Sequence, residues 1–270
     1  MTVASRRPFD DRASLLENVR RAAVSAGDAI VALAGSGRCA VWSKADDSPV
    51  TQADLAANAI VVEALRALDA RVPIVSEETA RDPGALPRRF WLVDPLDGTR
   101  EFVAGRNEYT VNVALIEDGL PVLGVVHAPA CGVTYCAARG SGAHRFDIDG
   151  SHPIGAHTGG PLVVVVSRSH AGPSLAAFLA ALPPHALVEM GSSLKLCLVA
   201  DGTAQLYPRL GPTCWWDIAA AHAVVLEAGA QVTTVDGAPL RYAGSGMLNP
   251  PFVCSSLPHA AWSAAAHAAG

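Results

Sequence analysis

Apolar residues spaced three and four positions apart predict two helices near the start of the chain. The first is expected to end at Gly35 or Gly37, because glycine commonly terminates helices. The second is expected over residues 51–68. Thr51 would cap its N-terminus, and Asp54 in its first turn would interact favourably with the positive end of the helix dipole.

Short apolar runs predict strands along the rest of the chain, with further helices in the second half. The predicted strands cover residues 39–42, 72–75, 90–93, 109–116, 121–128, 133–137, 162–166, 186–189, 204–207 and 231–234. The further helices cover residues 173–181, 193–200 and 216–228. The tripeptide Glu117-Asp118-Gly119 is typical of a hairpin turn between two of these strands.

Residues 140–160 are rich in Gly, His and Ser, and we expect them to form a loop or a domain boundary. Helices and strands in two halves indicate a layered α/β fold with a functional site between the halves. We therefore divide the chain into an N-terminal α/β half, residues 1–150, and a C-terminal α/β half, residues 151–270.

Composition narrows the possible functions. Half of the 270 residues are hydrophobic, so the chain can bury a large core, and the net charge of −5 without a block of Lys and Arg argues against binding to a nucleic-acid polymer. The six cysteines form no CxxC pair, which is typical of reduced thiols. No stretch reads as a secretion signal or a membrane-spanning segment, so we expect a cytoplasmic protein, with peripheral association with the inner membrane left open.

The most informative stretch follows the predicted strand at 90–93 and reads Asp-Pro-Leu-Asp-Gly-Thr. Asp94 and Asp97 supply two carboxylates, and carboxylate oxygens are ligands that Mg²⁺ prefers. Gly98 and Thr99 would open a short helix whose free backbone N–H groups suit a phosphate. A turn can carry the same residues for conformational reasons, and for this stretch taken alone that simpler explanation is the stronger one.

Other acidic residues occupy the same kind of position, at the end or the start of a predicted element. Asp217 could be a helix N-cap, Asp54 a partner of the helix dipole and Glu77 a solvated loop charge. Each simpler explanation is the stronger one for its residue alone. Ligand sites in α/β folds gather at strand ends and helix starts, so the conjunction with Asp94 and Asp97 favours a metal site.

Three stretches resemble the inositol monophosphatase superfamily: WLVDPLDGTREF at 91–102, SEE at 76–78 and WDIAAAHAVVLEAGA at 216–230. Within it, residues 46–54, 101–129, 166–170 and 191–213 are most similar to the bacterial 3'(2'),5'-bisphosphate nucleotidase branch. The resemblance implies an αβαβα sandwich of sugar-phosphatase type with two closely packed halves. It also implies a magnesium-dependent, lithium-sensitive phosphomonoesterase.

The reaction implied by this branch removes the 3'-phosphate of 3'-phosphoadenosine 5'-phosphate, a by-product of sulfur assimilation. Metal-activated water would attack with two or three Mg²⁺ ions present, and AMP and phosphate would be released. One alternative is an inositol monophosphatase or fructose-1,6-bisphosphatase-type sugar phosphatase. Another is a catalytically silent metal- or nucleotide-binding regulator, which the complete carboxylate set argues against. A monomer and a homodimer both fit the sequence.

The resemblance also assigns roles to individual residues. The magnesium ligands would be Glu77, Asp94, the Leu96 carbonyl, Asp97 and Asp217. Asp54 and Thr99 would orient and deprotonate the attacking water, with Glu77 assisting.

The substrate would be bound by Gly98, Thr99, His170, Ser192, Lys195 and Arg209. Gly98 and Thr99 would receive the scissile phosphate, and the other four would contact the nucleotide. A second phosphate needs cations away from the metal, and arginine can bind one through two hydrogen bonds. From the residues alone, surface salt bridges explain Lys195 and Arg209 equally well.

Overall fold

The computed structural model describes residues 12–35, 40–43, 49–79, 86–168, 172–244 and 246–270. The helices are α1 (Arg12–Gly35), α2 (Gln52–Leu68), α3 (Thr99–Val103), α4 (Pro173–Ala180), α5 (Leu194–Ala200), α6 (Trp215–Glu227) and α7 (Ser263–Ala268). Single turns of 3-10 helix cover Pro129–Cys131 and His259–Ala261. Within these described ranges, no helix is both long enough and apolar enough to cross a bilayer.

The strands form two large sheets and one short hairpin. The hairpin pairs β1 (Val41–Ser43) with β2 (Pro49–Thr51). The larger sheet contains, in spatial order, β3 (Ile74–Ser76), β4 (Arg89–Asp97), β5 (Thr110–Glu117), β6 (Leu120–Ala128), β7 (Val133–Ala138), β8 (Ala143–Asp147) and β9 (Gly150–Ile154). The smaller sheet contains, in spatial order, β11 (His185–Met190), β10 (Leu162–Ser167), β12 (Leu206–Arg209), β14 (Phe252–Ser255) and β13 (Gln231–Thr234).

The layers follow from which faces of the sheets are apolar. Helices α1 and α2 cover one face of the larger sheet, where Val19, Val61, Trp91 and Val113 are among the buried residues. Helices α5 and α6 lie between the two sheets and contribute Leu196 and Val224 to the central core, while α4 and α7 cover the outer face of the smaller sheet. The order is αβαβα, which confirms the layered architecture.

Most of the predicted elements are confirmed. Thr51 caps α2 as predicted, and its hydroxyl accepts a hydrogen bond from the Ala53 N–H. The turn between β5 and β6 contains only Asp118 and Gly119, and not the predicted tripeptide. Their φ angles are 52° and 75°. Positive φ at both central residues matches the twist of a two-residue hairpin, so Glu117 stays within β5.

The prediction of a loop over residues 140–160 is wrong for residues 143–147 and 150–154, while residues 155–160 form no helix or strand. The two stretches are β8 and β9, which complete the larger sheet by antiparallel pairing. Gly140 and Gly142 provide turns with positive φ, and the five residues of β9 are mostly exposed. An exposed edge strand lacks the apolar alternation by which strands are recognised in sequence. The pairing of β9 continues to Ile154, past the division at residue 150.

Other differences include the bounds of two strands and a strand that was not predicted. The strand expected at 72–75 is β3 at Ile74–Ser76, and the strand expected at 204–207 is β12 at Leu206–Arg209. Strand β14 was not predicted, although it lies between β12 and β13. Its apolar run is short and carries no periodicity that distinguishes a strand from a buried loop.

The packing of α6 on the larger sheet depends on Gly124 of β6. A Cβ atom at this position would lie 2.1 Å from the Ala220 carbonyl oxygen and 2.8 Å from the Ala223 Cβ. The absence of a side chain therefore lets the backbone of α6 lie directly against the strand.

Gly124→Ala should lower the free energy of unfolding by about 1–3 kcal/mol or more, because the clash is with helix backbone. Urea denaturation measures this change. Gly35→Ala is the matched control, because a Cβ there meets nothing within 4 Å. Equal stability of the two variants would contradict the proposed close approach.

Candidate active site

A cavity of about 520 Å³ opens where β4, α3, α5, β12 and α6 meet. Its lining includes most of the residues singled out in the sequence: Glu77, Asp97, Gly98, Thr99, Ser192, Lys195, Arg209 and Asp217. Asp54, Asp94 and Leu96 are buried behind this lining. His170 lies outside the described residues.

A bulge in β4 brings Asp94 and Asp97 to the same face of the sheet. Trp91 and Val93 face the core under α1 and α2, and after the bulge Leu96 takes that face, so the alternation shifts by one residue. The pairing shows the same shift, with Asp94 opposite Asn112 and Asp97 opposite Thr110. Such bulges redirect side chains and tolerate proline, which here is Pro95.

The expectation that Asp94 and Asp97 follow the strand is therefore wrong, because both belong to β4. Pairing with β5 continues past Val93, since the bulge absorbs the extra residue. Parallel pairing places the carboxyl end of β3 beside the same stretch, and the Glu77 N–H donates to the Val93 carbonyl at 3.0 Å. Glu77 and Asp94 are thereby brought together.

A backbone N–H orients each of the three aspartates in this region. The Leu96 N–H donates to Asp94 Oδ1 at 3.1 Å, and the Cys214 N–H donates to Asp217 Oδ2 at 2.8 Å. The Ser193 N–H donates to Asp97 Oδ2 at 2.5 Å across 96 residues of sequence. Asp217 is therefore an N-terminal capping residue of α6 and a lining residue of the cavity at once.

These carboxyl groups hold protons unusually tightly. Burial is the main cause of the raised pKa of Asp94, and the charges of Glu77, Asp97 and Asp217 add to it. Burial, followed by the charge of Asp97, raises the pKa of Asp217 to about 8. Burial raises the pKa of Asp97 to about 6, although Lys195 and the Ser193 N–H oppose the change.

The donor set fits a magnesium ion. Glu77 and Asp94 form a hydrogen bond, which needs a proton between two carboxyl groups, and a divalent cation can neutralise the same pair instead. Asp97 and Asp217 add two more carboxyl groups to the same electrostatic cluster, and their oxygens could serve as further ligands. In the described part of the chain, no three His, Cys, Asp or Glu side chains already form an ion-binding group.

Asp54 uses its two oxygens for two purposes. Oδ2 accepts hydrogen bonds from the Thr51 N–H at 2.7 Å and the Thr51 hydroxyl at 2.6 Å, which completes the helix cap. Oδ1 lies 3.1 Å from the Thr99 hydroxyl, which is also 3.1 Å from the Leu96 carbonyl. Burial raises the pKa of Asp54, so its carboxylate is a stronger base than an exposed aspartate.

Gly98 gives the chain a sharp turn between β4 and α3. Its φ is 93°, and a Cβ would lie 2.8 Å from the Glu108 carbonyl oxygen. A side chain at this position would be strained by its backbone conformation and would also clash. The turn carries the backbone from the carboxylates of β4 directly into the cavity lining at Thr99.

Lys195 and Arg209 add two buried cations to the same cavity. The Lys195 ammonium donates to the Ser192 carbonyl and lies 5.6 Å from the Tyr207 ring centroid. Burial lowers the pKa of Lys195 to about 8, opposed by the charge of Asp97. Arg209 Nη2 donates to the Pro212 carbonyl at 2.7 Å, whereas its buried Nε makes no hydrogen bond within the described residues. That buried donor suits an anionic ligand.

Sequence reasoning missed several residues of the cavity region. Ser193 holds Asp97 through its N–H, and its hydroxyl contacts the Asn112 side chain at 2.8 Å. Glu101 is buried in the short helix α3 and lines the cavity. A glutamate two residues after Thr99 is a signal visible in the sequence, whereas the contact between Ser193 and Asp97 depends on the fold.

Comparison with known proteins assigns this chain to a family. The model of the inositol monophosphatase family matches residues 12–268. The chain belongs to the inositol monophosphatase family. Phosphatases of this family depend on a metal, generally Mg²⁺, which agrees with the carboxylate donor set described above.

Individual relatives cover nearly the whole chain. The 3'(2'),5'-bisphosphate nucleotidase CysQ of Escherichia coli K12 is 48% identical over 244 residues, which is 88% of this chain and 98% of the relative. CysQ of Bacteroides thetaiotaomicron has a crystal structure with a TM-score of 0.80 and 34% identity, covering 90% of this chain and 98% of that one. An IMPase structure from Thermotoga maritima gives a TM-score of 0.77 with 26% identity, covering 92% and 95%.

The metal-free protein should lose stability as pH rises from about 4 to about 8. Asp97 and Asp217 keep protons in the folded state up to pH values of about 6 and 8, whereas unfolded aspartates release theirs near pH 4. The unfolded state therefore binds fewer protons in this window, and its population grows with pH. Urea denaturation in EDTA should show a loss on the order of a few kcal/mol.

Two additions make this experiment specific. Asp217→Asn should remove most of the loss between about pH 6 and pH 8, because no proton is released there. Asp149→Asn, at an exposed position outside the cavity, should leave the profile unchanged. A flat wild-type profile would contradict the crowding of buried carboxyl groups.

Proposed function

We propose that this protein is a magnesium-dependent phosphomonoesterase that removes the 3'-phosphate of 3'-phosphoadenosine 5'-phosphate, giving AMP and phosphate. Membership of the inositol monophosphatase family and the identity to the CysQ nucleotidases support the reaction class. One observation carries the choice of substrate. A single cavity contains both a cluster of carboxylates and the two buried cations Lys195 and Arg209. A substrate with two phosphate groups can use both.

Two or three magnesium ions would be held by Glu77, Asp94, the Leu96 carbonyl, Asp97 and Asp217. When bound, the ions would neutralise charge on the phosphate and lower the pKa of water. The backbone contacts to Asp94, Asp97 and Asp217 would fix the orientation of three of these ligands. This orientation limits the side-chain freedom that metal binding would otherwise have to remove.

Thr99 and Asp54 would move the proton of the attacking water. The Thr99 hydroxyl has one proton and lies within reach of two acceptors, Asp54 Oδ1 and the Leu96 carbonyl. When its proton points to Asp54, the hydroxyl oxygen can accept a proton from water. Asp54 Oδ1 can then receive the threonine proton, while Oδ2 stays bonded to Thr51. Attack would occur directly on phosphorus, with inversion.

The substrate would span the cavity. The backbone N–H groups of Gly98 and Thr99 would receive the scissile phosphate, and His170, Ser192, Lys195 and Arg209 would contact the rest of the nucleotide. Trp216 and Leu248 also line the cavity and offer an apolar surface for the base. This division separates the chemistry, near β4, from the recognition of the nucleotide, near α5 and β12.

The substrate can be tested by comparing kcat/KM for 3'-phosphoadenosine 5'-phosphate, inositol 1-phosphate and fructose 1,6-bisphosphate with Mg²⁺. We expect a preference for the nucleotide over inositol 1-phosphate of at least about 100-fold, since two charged contacts to the second phosphate each contribute roughly 1.5–3 kcal/mol. Fructose 1,6-bisphosphate has a second phosphate but no base to pack on Trp216 and Leu248, so we expect it to fall between the two. A preference for a sugar phosphate would instead favour an inositol monophosphatase or fructose-1,6-bisphosphatase activity. No phosphate release from any of the three would favour a silent regulator.

Lys195→Met should raise KM for the bisphosphate by about tenfold or more while leaving kcat nearly unchanged, because a charge remote from the reacting bond binds substrate and transition state alike. Methionine keeps the volume of the buried side chain. The assay needs saturating Mg²⁺, since Lys195 also lowers the pKa of Asp97.

Arg106→Met is the control for Lys195→Met, because Arg106 is an exposed cation that does not line the cavity. Its KM should stay within about twofold of wild type. If Lys195→Met behaved in the same way, Lys195 would not contact the substrate.

A further inference from the structure

Glu108 lies where the two sheets approach each other beside the cavity, and the proposed reaction gives it no role. We infer that Glu108 is a positioning residue, supported by Arg168, that holds the turn at residues 191–193 against β4 and thereby fixes Asp97. This inference rests on the proposed function, because it concerns the same reaction. The carboxylate of Glu108 bonds to Arg168 and the Gly191 N–H, neither of which we place in contact with substrate, so its effect passes through the turn.

The turn is held by a direct hydrogen bond. The Gly191 N–H donates to Glu108 Oε2 at 2.7 Å. Arg168 donates two hydrogen bonds to the same carboxylate, from Nη2 to Oε1 at 2.8 Å and from Nε to Oε2 at 3.1 Å. Burial alone would raise the pKa of Glu108, but the bonds from Arg168 and Gly191 outweigh it and lower the pKa. Glu108 therefore stays ionised and paired.

Arg168 binds Glu108, and its guanidinium nitrogens are already occupied by hydrogen bonds to protein acceptors, so few N–H groups remain to bind a phosphate. Besides its two bonds to Glu108, Nη1 donates to Glu189 Oε2 at 3.0 Å and Nη2 donates to the Glu189 carbonyl at 3.1 Å. All three guanidinium nitrogens are thus engaged by two glutamates. An arginine that bound substrate would have to break this arrangement.

The backbone of Glu108 is wedged between two glycines. A Cβ on Gly98 would lie 2.8 Å from the Glu108 carbonyl oxygen, and a Cβ on Gly191 would lie 2.9 Å from the same oxygen. Gly98 belongs to the turn between β4 and α3, whereas Gly191 precedes α5. Glu108 therefore sets the spacing between the phosphate-facing turn and the segment from the other sheet.

The turn contacts two groups of the site directly, Asp97 and Lys195. Ser192 has a φ of 48°, which is uncommon for a residue with a side chain and indicates that neighbouring contacts hold it. The next residue, Ser193, donates its N–H to Asp97, and the Ser192 carbonyl accepts from Lys195. Movement of the turn would displace both a proposed metal ligand and a proposed substrate cation.

The test uses Glu108→Ala, Glu108→Gln and Arg168→Ala, with Glu189→Gln as the matched control. Glu189 binds the same arginine, whereas the Gly191 N–H donates to Glu108. Glutamine at 108 keeps an acceptor for the Gly191 N–H, and Arg168→Ala leaves Glu108 itself in place. Steady-state kcat and KM, the Mg²⁺ affinity by titration calorimetry and the melting temperature are measured for each variant.

We expect Glu108→Ala to lower kcat by about 10- to 100-fold and to weaken Mg²⁺ binding, because a displacement of about 1 Å in a positioned group can cost 100-fold. Glu108→Gln and Arg168→Ala should each lower kcat by less than Glu108→Ala, and Glu189→Gln should stay within twofold of wild type. Recovery of most of the kcat by Glu108→Gln identifies the bond to Gly191 as the essential contact.

Two results would overturn the inference. One is a Glu108→Ala variant whose kcat and Mg²⁺ affinity stay within twofold of wild type, whatever its melting temperature. The other is an equal loss in Glu189→Gln, which would indicate a general effect of the ion pairs. If Glu108→Ala does not fold, Glu108→Met, which keeps the side-chain length but offers no carboxylate acceptor, replaces it, and wild-type kcat and Mg²⁺ affinity in that variant would overturn the inference. If the wild type prefers inositol 1-phosphate, the same series with that substrate tests the inference separately from the proposed nucleotidase activity.

Discussion

The candidate active site requires several carboxyl groups to lie close together in the protein interior, beside the cavity. Asp94, Asp97 and Asp217 come from a strand and a helix far apart in sequence, and the charges of Asp97 and Asp217 both raise the pKa of Asp94. Such crowding opposes folding at neutral pH unless protons or a cation offset the charge. Much of the surrounding architecture can be understood as the means of holding these groups against their mutual repulsion.

The fold supplies this support largely through backbone groups. Each of the three aspartates accepts a hydrogen bond from a backbone N–H, in the bulge of β4 for Asp94 and at a helix start for Asp97 and Asp217, and this bond orients its carboxylate. The surrounding layers keep that backbone rigid, because α5 and α6 are packed between both sheets. Gly124 lets α6 approach β6 closely, and α6 carries Asp217 at its first turn.

Simple structural roles and functional roles coincide in several residues. Asp54 completes the cap of α2 with one oxygen and faces Thr99 with the other, and Asp217 caps α6 while lining the cavity. For Asp54 and Asp217, the capping role and the place in the candidate site are therefore compatible. Glu108 also has two roles, because its carboxylate pairs with Arg168 and accepts a hydrogen bond from the Gly191 N–H.

The sequence by itself determined the helices and most strands, because their apolar periodicity records which face is buried. It also identified the motif at residues 94–99, because this stretch carries the family resemblance together with residues 76–78 and 216–230, and that resemblance is confirmed. Capping of α2 by Thr51 and Asp54 was predictable for the same local reason.

Only the tertiary structure decided how distant segments meet. The bulge that turns Asp97 to the face of Asp94 depends on pairing with β5, and neither the pairing nor its shift is encoded in local periodicity. The edge strand β9 was missed because its exposed residues carry no apolar alternation, and β8, which pairs with it, was missed as well. The contacts of Ser193 with Asp97 and of Glu108 with Gly191 join residues more than 80 positions apart, so only the packing of the two sheets brings them together.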